Sequence, residues 1–210
     1  MKNLIMVIPL VIALLPLYAV AEEAELEPIA DAPVFELHGD ENYGSEYYGY
    51  WGYYNGGQRT LIKYDLTGIE GEVTGARMSW QCMQNNPGSG DMWACKLLGD
   101  WEEDEVTWNN QPNHDDTEDG RLLDIEWDPD NGPVEHDCTN AAIDIIQNWI
   151  DNPDENYGLI LRKYPESGNT PRCYPYMKES AYQSVLLIVE YNPTNVVESS
   201  SVGAVKALFK

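Results

Sequence analysis

Residues 46–66 read EYYGYWGYYNGGQRTLIKYDL, two runs of strand-forming residues on either side of a turn. Aromatic residues dominate the first run, 46–54, while the second, 59–66, mixes branched, aromatic and charged residues. The intervening NGG supplies residue types that adopt the positive φ angles of a tight hairpin turn. The stretch therefore predicts two antiparallel strands, and it contains an unusual density of tyrosine.

Similar short runs, separated by Gly, Pro and Asn, recur on both sides of this hairpin. Further strands are predicted over 34–37, 73–83, 92–98, 106–108, 122–127, 158–162, 173–178 and 185–191. The runs 73–83 and 92–98 are predicted to form a second hairpin. Many short strands with such turns are typical of an all-β sandwich or barrel.

One helix is predicted after residue 139. Thr139 is a suitable N-cap, and 151–153, which reads DNP, ends the pattern. The apolar residues between them recur at helical spacing, and they are Ala142, Ile145, Ile146 and Trp149. We expect this short helix to cover an open end of the sandwich.

The first 21 residues have the three parts of a secretory signal peptide. Lys2 precedes an apolar stretch, and 19–21 reads AVA, a small-x-small cleavage site. A membrane anchor is the alternative. Residues 22–33, acidic and rich in Pro and Ala, are expected to form a flexible lead-in to a single domain over 34–192.

The protein carries a formal net charge of -24. Nucleic acids and anionic membranes are therefore poor partners, because both present dense negative charge. The same charge favours cations as binding partners. Adaptation to a saline environment would give the same composition.

Four cysteines in an exported chain predict two disulfides. We expect Cys82 to pair with Cys95, because both lie on the predicted second hairpin, and Cys138 to pair with Cys173. Cys-x-x-Cys spacing is absent from the sequence, which argues against a zinc site.

The C-terminal residues 193–210 change in character. A polar linker leads into VGAVKALFK at 202–210, which is apolar with two lysines. This tail could be a disordered end or a short docking segment.

The segment 99–112, GDWEEDEVTWNNQP, resembles the W-x-E-x-x-V-T-W-N-N-x-P signature of DNRLRE-type domains, also called disaggregatase-related repeats. Matching pieces follow the order of that family, namely NYG at 42–44, RTLIKYDL at 59–66, DCT at 137–139 and NYGL at 156–159. The sequence departs from the family where Cys138 replaces an apolar residue and where the S-R-E motif is broken near 178–180.

The resemblance spans roughly residues 34–191 and implies a jelly-roll-like antiparallel β-sandwich with one short helix. Such domains are typically secreted and accompany polysaccharide-degrading enzymes or cell-surface proteins, and some are classed as carbohydrate-binding modules. Trp101 and Trp108 of the signature are expected to be core residues rather than sugar platforms.

Alternation along the aromatic run separates its rings into two sets. Burying both sets would cost free energy, because each buried hydroxyl needs a hydrogen-bond partner. Some rings should therefore be exposed. Exposed rings can stack on sugars or form protein interfaces, although packing of the whole cluster is the simpler interpretation. The candidate ligand-binding residues are Tyr47, Tyr48, Tyr50, Trp51, Tyr53 and Tyr54.

A calcium site is a second hypothesis. Asp115, Thr117, Asp119 and Glu126 have the spacing of an EF-hand loop, with Gly120 at the turn. Flanking helices are not predicted, and a solvated acidic loop is the alternative.

The sequence contains none of the common catalytic motifs, so an enzyme is not expected. The leading hypothesis is a secreted, non-catalytic module that binds neutral polysaccharide or binds with the help of calcium. The alternative is a structural subunit of a surface layer, sheath or appendage, which self-assembles or binds other surface proteins through its tail.

Overall fold

The computed structural model describes residues 20–86, 89–126, 130, 132–167 and 172–194. The strands are β1 (Glu22–Leu26), β2 (Pro28–Phe35), β3 (Trp51–Tyr53), β4 (Gly57–Tyr64), β5 (Gly71–Trp80), β6 (Cys82–Asn85), β7 (Asp91–Lys96), β8 (Arg121–Glu126), β9 (Val134–Asp137), β10 (Leu159–Tyr164), β11 (Arg172–Pro175) and β12 (Leu186–Pro193). The helix α1 spans Asn140–Asp151, and short 3₁₀ turns span Glu36–His38, Glu118–Gly120 and Pro153–Glu155.

The strands form two antiparallel sheets. The smaller sheet has the order β1-β12-β5-β9, and the larger has the order β6-β11-β3-β4-β10-β7-β8 with β2 on the other edge of β4. The larger sheet is curled, and the whole is an all-β sandwich with a single α-helix. The predicted fold class is confirmed.

Alternating side chains divide the interior into two cores. On β10, Leu159 and Leu161 face the main core between the sheets, while Ile160 faces a second cluster. On β4, Ile62 and Leu61 divide in the same way. Both faces of these strands are therefore buried at their centres, where the apolar runs 61–62 and 159–161 lie.

The segment 97–112 covers the second cluster. Trp101 is buried there and donates its Nε1 proton to the carbonyl of Tyr157 at 2.9 Å, and Val106 is buried beside it. The expectation that Trp101 is a core residue is confirmed. The predicted strand 106–108 was wrong, because this part of the segment consists of turns that are anchored by their side chains.

The helix α1 forms where the sequence predicts it. Thr139 caps it by accepting a hydrogen bond from the amide of Ala142 at 3.3 Å. Its buried face, Ala142, Ile145, Ile146 and Trp149, is the predicted one. The helix packs against β5 of the smaller sheet and β8 of the larger, so it bridges the two sheets.

The predicted flexible lead-in over 22–33 was wrong. Residues Glu22–Leu26 pair with β12, and Pro28–Phe35 pairs with residues 58–64 of β4. Acidic composition did not prevent strand formation, because the charged residues of β1 face solvent while Ala32 and Val34 of β2 are buried.

The second predicted hairpin, over 73–83 and 92–98, was also wrong. Strand β5 belongs to the smaller sheet, β6 pairs with β11, and β7 pairs with β10 and β8. Since β6 and β7 are not neighbours, Cys82 and Cys95 do not face each other.

The disulfide pairing differs from the prediction accordingly. Cys82 is bonded to Cys173, with their Cα atoms 6.3 Å apart across the β6–β11 pair. Cys95 and Cys138 are free thiols, and neither predicted pair, Cys82 with Cys95 or Cys138 with Cys173, is formed. Burial raises the pKa of each free thiol to about 12.

The predicted signal peptide and the apolar tail lie almost wholly outside the described residues, so both stay predictions. In the part of the chain that is described, no helix combines the length and the apolar content needed to cross a bilayer.

Candidate functional site

A cleft of about 310 Å³ opens beside the β3–β4 hairpin. One wall comes from the end of β2 and the turn after it, another from the aromatic segment 43–54, and a third from β11. Its lining is dominated by rings and includes Phe35, His38, Tyr43, Glu46, Tyr48, Tyr50, Tyr54, Arg172 and Tyr174.

Hydrogen bonds to neighbouring strands fix the backbone of the aromatic segment. Thr60 on β4 uses its hydroxyl twice, accepting from the amide of Tyr50 at 2.7 Å and donating to the carbonyl of Tyr50 at 2.9 Å. On the other side, the amide of Gly49 donates to the carbonyl of Pro175 at 2.7 Å. The segment is therefore held between β4 and β11, although only 51–53 is regular strand.

The turn of the hairpin is the predicted one. Asn55 has φ of 56° and Gly56 has φ of 149°, the positive angles that this residue pair tolerates. The Glu36 carboxylate accepts a hydrogen bond from the amide of Gly57 at 2.7 Å, which ties the turn to the end of β2. This contact holds the hairpin turn in place at the edge of the cleft.

Alternation separates the rings as expected. Trp51 is fully buried in the main core and donates its Nε1 proton to the carbonyl of Arg162 at 2.8 Å. Tyr48, Tyr50 and Tyr54 lie on the other side of the segment and line the cleft. Of the candidate ligand-binding residues, these three are brought together.

The remaining candidates lie elsewhere. Trp51 is in the core, and Tyr53 is half-buried outside the cleft lining. Tyr47 is 50% exposed and packs edge-on against Tyr48, with ring centroids 4.7 Å apart. A role in binding stays a prediction for all of these residues.

The rings pack mostly edge to face. Phe35 lies between Tyr43 and Tyr50, with centroid distances of 4.6 and 4.4 Å and nearly perpendicular planes. Tyr50 also contacts Tyr174 at 5.1 Å. Such contacts hold rings in fixed orientations, so the cleft is preformed.

Most of the cleft lining lies outside the predicted set, and two of its members, Arg172 and Tyr174, come from a strand distant in sequence. They flank Cys173 on β11, whose side chain faces the core and forms the disulfide, so alternation turns both neighbours outward to the cleft. The Arg172 guanidinium lies 4.1 Å from the ring centroid of Tyr54 and 5.6 Å from that of Tyr174. Its Nε atom is buried and has no hydrogen-bond partner within the described residues.

The polar groups of the cleft are tyrosine hydroxyls, the Arg172 guanidinium, the Glu46 carboxylate, the His38 imidazole and the Gln58 amide. The hydroxyl of Tyr50 donates to that of Tyr48 at 3.3 Å, and burial, reinforced by this contact, raises the pKa of Tyr50 well above its usual value. Glu46 supplies an acceptor and Arg172 a donor. Flat apolar faces flanked by hydroxyls and charged hydrogen-bonding groups match the alternating C–H and hydroxyl surfaces of a sugar ring.

Comparison with protein families agrees with this chemistry. Residues 22–123 match the model of carbohydrate-binding module family 96. The match includes every cleft residue from Phe35 to Gln58 but ends before Arg172 and Tyr174. The resemblance of the sequence to a carbohydrate-binding module is thus supported, while the narrower DNRLRE-type assignment stays a prediction. A comparison with curated proteins gives no match.

The second tryptophan of the 99–112 signature lies outside the cleft lining. Trp108 is half-buried beneath the guanidinium of Arg59, which lies 4.4 Å from its ring centroid. Its ring passes over Gly57, where a Cβ atom would lie 2.3 Å from the Trp108 Cη2 atom. Trp108 therefore packs against the outside of the hairpin and supports the cleft from behind.

The predicted calcium residues are not brought together. Asp115 accepts hydrogen bonds from the amide and hydroxyl of Thr117, at 3.0 and 2.6 Å, and Asp119 lies in the 3₁₀ turn Glu118–Gly120. The chain then runs straight into β8, so Glu126, at its far end, lies roughly 20 Å along the strand from Gly120. Ligands of one calcium ion lie about 2.3–2.6 Å from it, so these four residues do not fit a single ion.

Proposed function

We propose that the chain is a secreted, non-catalytic module that binds polysaccharide in the aromatic cleft. The observation that carries the proposal is the convergence of Tyr48, Tyr50, Tyr54 and Tyr174 on one cleft beside the Arg172 guanidinium. The family match over residues 22–123 supports the carbohydrate class of the ligand.

The distribution of charge shapes the choice of ligand. A net charge of -24 repels polyanions at long range, although salt screens this beyond about 8–10 Å. Within the cleft, Arg172 and Glu46 provide one charge of each sign. The ligand we propose is a neutral polysaccharide chain, and binding of an acidic chain would depend on bridging cations.

Secretion is supported by two features. The leader-like residues 1–21 have the pattern of an export signal, and a disulfide between Cys82 and Cys173 is characteristic of proteins in oxidising compartments. A polysaccharide-binding protein would also meet its ligand outside the cell.

Affinity electrophoresis through gels containing neutral or acidic polysaccharides, with and without chelator, tests the proposal. We expect at least one neutral polysaccharide to retard the protein, and Tyr54→Ala to reduce the retardation. The matched control is Tyr182→Ala, since Tyr182 is an exposed tyrosine outside the cleft lining. The proposal fails if no polysaccharide retards the protein or if both variants lose retardation equally.

The non-catalytic part of the proposal has a separate test. Incubation of the purified protein with each retarding polysaccharide should release no reducing ends and no unsaturated products. Release that increases with protein concentration would show that the chain is an enzyme.

A further inference from the structure

Three carboxylates from distant parts of the chain meet at one place in the fold. Asp31 lies on β2, Glu103 in the covering segment 97–112, and Glu179 in the turn after β11. One carboxylate oxygen from each residue lies within 4.8 Å of the others. None of the three belongs to the predicted EF-hand-type loop.

Asp31 is the unusual member of this cluster, because it is 0% exposed. Its Oδ2 atom accepts a hydrogen bond from the amide of Lys178 at 2.9 Å, but its Oδ1 atom is buried with no hydrogen-bond partner among the described residues. A buried carboxylate oxygen without a donor is costly, so it is stabilised either by a proton or by a positive charge beside it; burial raises the pKa of Asp31 to about 7.

Lys178 supplies only part of that charge. Its Nζ atom lies 2.9 Å from an oxygen of Glu103 and also contacts the carboxylate of Glu179. No hydrogen bond joins this ammonium to Asp31 within the described residues, where the contact between Lys178 and Asp31 is through the backbone amide. One ammonium therefore faces three carboxylates and makes direct contacts with only two of them, while its charge acts on Asp31 from a greater distance.

From this geometry we infer that Asp31, Glu103 and Glu179 form a calcium-binding site. Calcium accepts oxygen ligands at about 2.3–2.6 Å, so two ligands on opposite sides of the ion are separated by up to about 5 Å. Separations within 4.8 Å are compatible with that ion once the Lys178 ammonium, which contacts Glu103 and Glu179, is displaced.

The site would fasten three segments that are far apart in sequence. It joins β2, the covering segment 97–112 and the turn after β11. The covering segment and the turn also contact the chain at and beside the aromatic segment 43–54. Asn42 donates its side-chain amide to the carbonyl of Glu103 at 2.8 Å, and the amide of Met177 donates to the carbonyl of Tyr47 at 3.1 Å. A calcium ion here would stabilise the fold whether or not the cleft binds glycan.

Isothermal titration of the full chain with calcium, after treatment with a chelator and in moderate salt, tests the inference. We expect one saturable site and a rise in melting temperature with calcium concentration. Asp31→Asn and Glu179→Gln should each weaken calcium binding by about tenfold or more, because each removes a charged ligand. Glu179 is exposed, so E179Q tests the site even if D31N folds poorly.

Two further variants distinguish this site from other sources of calcium binding. Asp119→Asn, in the EF-hand-type loop, should leave the titration unchanged. Lys178→Met should strengthen calcium binding, because it removes the competing ammonium. Any of three results would show that the site does not bind calcium and that Lys178 is its counter-ion. Calcium could produce no saturable heat, or D119N could remove the response. Alternatively, K178M could be destabilised without calcium restoring its stability.

Discussion

The guanidinium of Arg172 stacks on the ring of Tyr54 at 4.1 Å, joining the strand β11 to the tip of the β3–β4 hairpin across the mouth of the cleft. Stacking holds the planar guanidinium in a fixed orientation. In that orientation it can support the Tyr54 ring and also donate a hydrogen bond to a ligand hydroxyl.

Replacing Arg172 should therefore weaken glycan binding more than it weakens the fold. For Arg172→Gln we expect roughly a three- to tenfold loss of affinity, which is the size of a partly exposed cation–π contact together with a lost hydrogen bond. Affinity electrophoresis provides the measurement. Arg121→Gln is the control, because Arg121 also stacks on a ring, that of Trp93 at 3.9 Å, but outside the cleft lining. Equal losses in both variants would contradict a specific role for Arg172.

Reduction of the disulfide should destabilise the protein and impair binding together. Cys82 and Cys173 are separated by 91 positions in the sequence, and closing such a loop stabilises the folded state by about 4.6 kcal/mol in the chain-entropy model. Urea denaturation with and without reductant measures the difference. Because Cys173 lies between Arg172 and Tyr174, glycan affinity should fall as well. The double variant Cys82→Ser, Cys173→Ser should be insensitive to reductant, and sensitivity there would indicate a different pairing.

The two free thiols should be unreactive in the folded protein. Burial raises the pKa of Cys95 and Cys138 to about 12, so the reactive thiolate is scarce at pH 8. Relative to an unfolded thiol, we expect reaction with a disulfide reagent to be slower by about a thousandfold, and to accelerate as pH rises toward 12. Alkylation under denaturing, non-reducing conditions followed by mass spectrometry should label these two cysteines only. Labelling of Cys82 or Cys173 would overturn the pairing.

The support that Trp108 gives to the hairpin can be tested with a single methyl group. Gly57→Ala should destabilise the protein by about 1–3 kcal/mol, because the added Cβ would lie 2.3 Å from the Trp108 ring. Gly68→Ala is the matched control, since a Cβ there meets nothing within 4 Å. Thermal denaturation of both variants measures the difference. Similar melting temperatures for the two would show that the ring moves aside at little cost.

The local sequence pattern was sufficient to predict the features that depend only on residues close together in the chain. The hairpin turn at Asn55, the opposite facing of Trp51 and Tyr50, and the cap of α1 by Thr139 all follow from turn chemistry and from the periods of strand and helix. These interactions form between residues close in sequence, so the sequence alone determined them.

The tertiary structure decided which distant strands meet. Strand β6 pairs with β11 rather than with β7, which joins Cys82 to Cys173 and leaves Cys95 free. The same pairing brings Arg172 to the cleft, and the pairing of β2 with β4 places Asp31 beside Glu103. Any of several strands with similar alternation could occupy these positions, so the choice depends on how all side chains fill the two cores together.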